Sequence, residues 1–205
     1  MVCGGANLKD HELQTCETFG VAEGAWVTSH FLKKRRYGHQ SWNSSLGILV
    51  IGGFATDYET DEYEYIMTTE LLDNNGGSKF WFNLTQPSFQ SCLIDEGDTF
   101  LLTGGDGSAS LASRYDINGW VEDIDPLITP RYFHSCFSYV NDQGERVNMV
   151  CSGYSWYNDY AVENCEENIA GTRTWREIPI GNQPSMGPSI SIDKDHLYLI
   201  GDPLN

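Results

Sequence analysis

Six cysteines and a twice-occurring Arg-x-x-His supply the residue types in this chain most suited to chemistry. Cys3 and Cys16 stand 13 residues apart, and Cys151 and Cys165 stand 14 apart. In each pair one Cys lies in an apolar run before small residues, and the other lies in T-C-E-T or N-C-E-E. Positions 50–51 and 102–103 hold Val, Ile, Leu and Thr instead, so the two Cys are present together or absent together. That pattern predicts two disulfides, Cys3–Cys16 and Cys151–Cys165, because facing residues on antiparallel strands lie within disulfide reach. Closing loops of this size stabilises by about 3 kcal/mol; buried free thiols are the alternative. A metal site is disfavoured, since no His or third Cys sits nearby at ligand spacing. Cys92 in S-C-L and Cys136 in S-C-F occupy matching positions and read as small buried hydrophobes, with a bond between them left open. Neither has a neighbouring base to make it a reactive thiolate.

His39 and His134 each follow an arginine, Arg36 and Arg131, by three residues. Equivalent residues in repeated units are structural more often than catalytic, so these groups are expected to brace loops by hydrogen bonds. There is no Gly-rich phosphate loop, no G-x-S-x-G elbow and no paired carboxylates at a meaningful position. The chain therefore reads as a non-enzyme with no cofactor. Two N-glycosylation sequons occur, Asn43-Ser44-Ser45 in an expected turn and Asn83-Leu84-Thr85 at the end of an expected strand. Paired Cys with sequons favour an oxidising, extracellular or secreted setting, with the cytoplasm as the alternative.

Asp57, Glu59, Asp61, Glu62 and Glu64 interleave with Tyr58, Tyr63 and Tyr65. The acids lack the fixed spacing of a calcium-binding helix-loop-helix. Trp156, Tyr157 and Tyr160 fall in the corresponding loop of a later repeat. Aromatic loops offer contact area at little entropic cost, so these six aromatics are the candidate binding surface; the alternative is that the rings fold back on their own sheets. Lys33-Lys34-Arg35-Arg36 is the one basic run and reads as a solvated loop leading into Arg36.

What must position these residues is a repeat. Gly4-Gly5, Gly52-Gly53, Gly104-Gly105 and Ser152-Gly153 each end an apolar run, and Asp202 closes a fifth, L-Y-L-I-G-D. From Gly5 to Gly53, Gly105, Gly153 and Asp202 the steps are 48, 52, 48 and 49 residues. A period near fifty marks an array of one supersecondary unit. Apolar run, Gly pair, polar loop, a Trp-bearing segment (Trp26, Trp81, Trp120, Trp175), the Arg-x-x-His element and a further strand give about four short strands per repeat. In the second and fourth repeats Pro87-Ser88-Phe89-Gln90 and Pro184-Ser185-Met186-Gly187 stand at the Arg-x-x-His place.

The apolar strand with its Gly pair, the following Trp and the Arg-x-x-His resemble the kelch repeat. The resemblance covers residues 1–205, as repeats of about 1–46, 47–98, 99–146 and 147–195 with a partial 196–205. It implies an all-β, kelch-type β-propeller or partial propeller of about four blades, each of four antiparallel strands. Both ends supply the same type of strand, and Met1 aligns with Met149, so the chain is expected to be an excerpt of a larger propeller.

Net charge is −17, from 29 acids against 12 bases, which argues against a nucleic-acid partner. No run reaches the ~18–20 apolar residues of a membrane span. The function expected is a non-catalytic extracellular scaffold that binds protein through rim loops. Self-assembly through open blade edges and a cytosolic kelch adaptor that recruits substrates are the alternatives. A copper oxidase propeller fits least, because it needs several His and Tyr with a Cys converging on one site.

Overall fold

The computed structural model describes residues 1–7, 11–57, 62–155, 160–178, 189–192 and 197–200. Among them every regular element is a β-strand and every strand pairing is antiparallel. The chain divides into two compact units: Met1–Phe89 with Ile117–Gly119, and Gln90–Asp116 with Trp120–Asn205.

Among the described residues the first unit holds two larger sheets and two small hairpins. Sheet one has three strands, Val2–Cys3, Thr15–Gly20 and Ala25–Phe31. Sheet two has four, Gln40–Ser44, Gly47–Ile51, Thr68–Leu72 and Ser78–Asn83, paired in chain order. The second unit has two four-stranded sheets. Sheet three is Cys92–Asp95, Thr99–Thr103, Ala112–Asp116 and Val121–Ile124. Sheet four is Ser135–Val140, Arg146–Cys151, Cys165–Ile169 and Arg176–Ile178. A hairpin, Ser189–Ile192 with Leu197–Ile200, follows.

Sequence explains the order within a sheet. The second strand is the apolar run, and in sheet two its Leu49, Val50 and Ile51 are fully buried, as a strand covered on both faces requires. The sheets are offset by one strand from the repeat windows. A short turn, such as Ser45-Leu46 between Ser44 and Gly47, pairs the strand after the Arg-x-x-His element with the apolar run that follows it. Neighbours in sequence become neighbours in the sheet.

The Gly pairs end the apolar strands in one repeated conformation. The first residue has φ of +56°, +62°, +52° and +62° at Gly4, Gly52, Gly104 and Ser152. The second has +99°, +100°, +109° and +102° at Gly5, Gly53, Gly105 and Gly153. In sheets one, two and four the chain then makes a small hairpin before the next strand of the sheet: Ala6–Asn7 with His11–Glu12, Phe54–Asp57 with Glu62–Tyr65, and Tyr154–Ser155 with Tyr160–Ala161. The polar loop of the repeat is therefore itself a strand pair in three of four cases.

Between sheets one and two lies a core of Cys16, Leu32, Val50 and Leu72. Between sheets three and four lies one of Ile94, Leu101, Ala112, Ile124, Leu127, Val150 and Trp175. At about 25 cal/mol per Å2, such contiguous apolar burial is the main stabilising term. Among the described residues no helix is long and apolar enough to cross a membrane.

Candidate functional site

Arg36 and Arg131 have no exposed side-chain surface, and each spans two structural elements. The Arg36 backbone carbonyl accepts from Gly5 N at 2.8 Å, while its Nη1 donates to the carbonyls of Gly52 and Thr68 at 2.7 and 3.1 Å. Its Nη2 donates to Glu70. Arg131 repeats this: its carbonyl accepts from Gly105 N at 3.0 Å, and Nη1 reaches the carbonyls of Ser152 and Asn164, each at 3.0 Å. Nη2 donates to Glu166 Oε1 at 2.6 Å.

Glu70 and Glu166 complete the device, and the sequence reading missed both. Each is fully buried and grips two successive backbone N–H groups. Lys33 N and Lys34 N donate to Glu70 at 2.6 and 3.1 Å; Ile128 N and Thr129 N donate to Glu166 at 2.7 and 2.9 Å. A buried carboxylate is tolerable only when its lone pairs are filled this way. Burial lowers the pKa of both arginines while the facing glutamate opposes the shift. The signal was available. Glu70 faces Val50 and Glu166 faces Val150, each Val two residues before its Gly or Ser-Gly pair.

The basic run is thus only partly the solvated loop expected. Lys33 and Arg35 are exposed and Lys34 pairs with exposed Glu64 at 2.7 Å, but their backbone is held by Glu70 and Arg36 is enclosed. In the second repeat, the residue in Arg36's place is Ser88, one position later than the sequence alignment on Pro87. Buried Leu32, Leu84 and Leu127 each stand four residues before Arg36, Ser88 and Arg131. Two residues after them, Gly38, Gln90 and Phe133 share φ of +58°, +55° and +52°. The fourth element, Pro184–Gly187, lies outside the described residues.

Each histidine fills the space that two glycines leave. A Cβ on Gly4 would sit 2.9 Å from His39 Cε1, and one on Gly53 would sit 2.9 Å from His39 Cβ. At His134 the same distances, from Gly104 and Gly153, are 2.8 and 2.9 Å. His39 bonds the Cys3 backbone, and His134 Nε2 pairs with Thr103 Oγ1 at 2.9 Å. Their Nδ1 atoms are buried without a hydrogen-bond partner. Burial, then the adjacent arginine, pushes His39 down to about 4 and His134 to about 3. Both are neutral at physiological pH.

Cys3–Cys16 and Cys151–Cys165 are disulfides between residues directly opposite in register. Cys92 and Cys136 correct the reading as buried hydrophobes: they too are bonded, and both are only partly buried. This bond joins the first strands of sheets three and four. Its partners sit in different repeats, so co-occurrence within one repeat does not reveal it. Among the described residues no group of three or more His, Cys, Asp or Glu could hold a metal ion.

The aromatic loops resolve into layers. In the first unit Phe54 touches Tyr37, Tyr63, Tyr65 and Phe89 at ring-centroid distances of 5.7, 5.8, 5.3 and 4.9 Å. Tyr63 stacks on this cluster yet is 75% exposed. Exposed Glu62 and Glu64 flank it. In the second unit Tyr132 and Tyr154 meet edge-on at 5.7 Å, and Tyr160 is 44% exposed. Tyr58, Trp156 and Tyr157 lie outside the described residues. The tryptophans are less uniform than the repeat suggests. Trp175 is buried and Trp81 Nε1 donates to Ile117 O at 2.6 Å, whereas Trp26 and Trp120 are exposed. Asn43 lies within a strand, opposite Ile48, rather than in a turn; it and Asn83 are exposed.

Compared with protein-family models and with curated proteins, the chain matches none.

Proposed function

We propose that this chain is a kelch-type array of propeller blades and acts as a non-catalytic extracellular scaffold that binds protein through its rim loops. The observation that carries the reading is Tyr63, three-quarters exposed on a hairpin whose base is locked by Phe54, Tyr37 and Phe89. A rigid aromatic presented among acids is suited to a partner surface with apolar pockets and basic neighbours. The buried Arg36, Arg131, Glu70 and Glu166 support the same reading, since each is committed to bracing backbone. The three disulfides fit an oxidising compartment.

The test places a photo-crosslinking amino acid at Tyr63 in protein produced through a secretory pathway, with Trp120 as control site. Defined protein adducts at position 63, absent at 120, are expected from extracellular extract. Adducts no more frequent at 63 than at 120 would contradict the reading.

A further inference from the structure

Tyr63 stands apart from the other tyrosines. Among the described side chains only Tyr63 and Tyr160 are exposed, at 75% and 44%; the remaining tyrosines are buried or half-buried. The Tyr63 ring stacks on Phe54 at 5.8 Å, and Phe54 meets Tyr37 and Tyr65 edge-on at 5.7 and 5.3 Å. The phenol is thus held open to solvent on a packed base. The two exposed tyrosines also differ in their surroundings along the chain. Five residues to either side of Tyr63 hold Glu59, Asp61, Glu62 and Glu64 and no Lys or Arg. The same span around Tyr160 holds Asp159 and Glu163 alone. Glu62 and Glu64, the strand neighbours of Tyr63, are themselves exposed.

We infer that Tyr63 is a sulfation site, modified by a tyrosine sulfotransferase of the secretory lumen. The step is a group transfer. Tyr63 Oη attacks the sulfur of a nucleotide phosphosulfate donor. A bond from the phenol oxygen to sulfur forms, the bond from sulfur to the donor's phosphate oxygen breaks, and that phosphate leaves with the electron pair. The phenol proton passes to a base on the transferase, and nothing is oxidised or reduced. An enzyme that holds a polyanionic donor beside its acceptor presents a basic cleft, which favours acceptors flanked by acids and free of Lys and Arg. Tyr63 meets that demand and the demand for an open phenol together. Tyr160 meets the second with half the acids. The product carries a further negative charge and terminal acceptor oxygens, which fit an arginine fork better than a bare phenol does. The inference rests on the extracellular rim reading above and gives that rim its modification.

The whole protein is secreted from cells that carry such a transferase, grown with and without chlorate, which blocks synthesis of the phosphosulfate donor. Mass spectrometry of the peptide bearing Tyr63 should show one added SO3 group. The adduct should be missing from chlorate-grown protein and from Tyr63→Phe, retained in Tyr160→Phe, and untouched by phosphatase. Phe keeps the ring that stacks on Phe54, so the thermal midpoint of Tyr63→Phe should match that of chlorate-grown parent. Bare Tyr63 in secreted protein with its three disulfides formed would overturn this inference and leave the rim reading standing. An adduct that phosphatase removes, or SO3 on Tyr160 in place of Tyr63, would overturn it equally. A chain retained in the cell with free thiols would overturn both.

Discussion

Arg131 and Glu166 lie 35 residues apart and form a 2.6 Å ion pair that solvent does not reach. Removing one partner of such a pair strands the other charge in the interior. Glu166→Gln should therefore cost about 3 kcal/mol or more, read as a lowered denaturant midpoint at unchanged slope. Glu70→Gln should behave alike, because Glu70 holds two backbone N–H groups and an arginine in the same way, with Ser78 Oγ as a further donor.

Acid should destabilise the protein in a defined window. For His39 and His134 the folded values of about 4 and about 3 lie below the ordinary 6.5. As pH falls, the unfolded chain takes up these protons first. No stability is lost to them above about 6.5, and each costs about 1.4 kcal/mol per pH unit below it, down to its folded value. Urea midpoints at pH 7, 6 and 5 check this; a His134→Gln variant should show a shallower slope.

At Gly53 and Gly153, second in their pairs, there is no room for a side chain. A Cβ at Gly53 would sit 2.8 Å from Tyr37 O, and at Gly153 2.8 Å from Tyr132 O. Gly53→Ala and Gly153→Ala should each cost at least about 2 kcal/mol, through clash and positive φ together. Gly144→Ala, also at positive φ but with nothing within 4 Å, should cost about 1 kcal/mol in the same thermal or denaturant assay.

Reduction should loosen both units. Cys3–Cys16 and Cys151–Cys165 close short loops worth about 3 kcal/mol each, and Cys92–Cys136 closes a longer one worth about 4 kcal/mol. Intact mass after secretory expression should rise by six hydrogens on reduction. It should fall on deglycosylation, and that fall should shrink with Ser45→Ala and again with Thr85→Ala.

How much the sequence revealed depends on where each signal sits. The strands and two disulfides were legible because each lies within one repeat and recurs at fixed spacing. Glu70 and Glu166 were hidden among 29 acids in a chain of net charge −17, where solvated loops account for most. Only the register opposite Val50 and Val150 sets them apart. The Cys92–Cys136 bond was illegible because its halves belong to two sheets, and sequence periodicity carries no distance between sheets. The frame of the second linker was misplaced by one residue because Pro87 is conspicuous, whereas the buried Leu84 that fixes the frame is an ordinary apolar residue.

The central claim is that the chain's buried ionisable groups act as matched braces of a repeated sheet. A double-mutant cycle on Arg131→Met and Glu166→Leu, followed by denaturant unfolding, tests it most directly. The account predicts that the double variant is at least about 2 kcal/mol more stable than the sum of the single losses allows. Losses that add to within about 0.5 kcal/mol would contradict it.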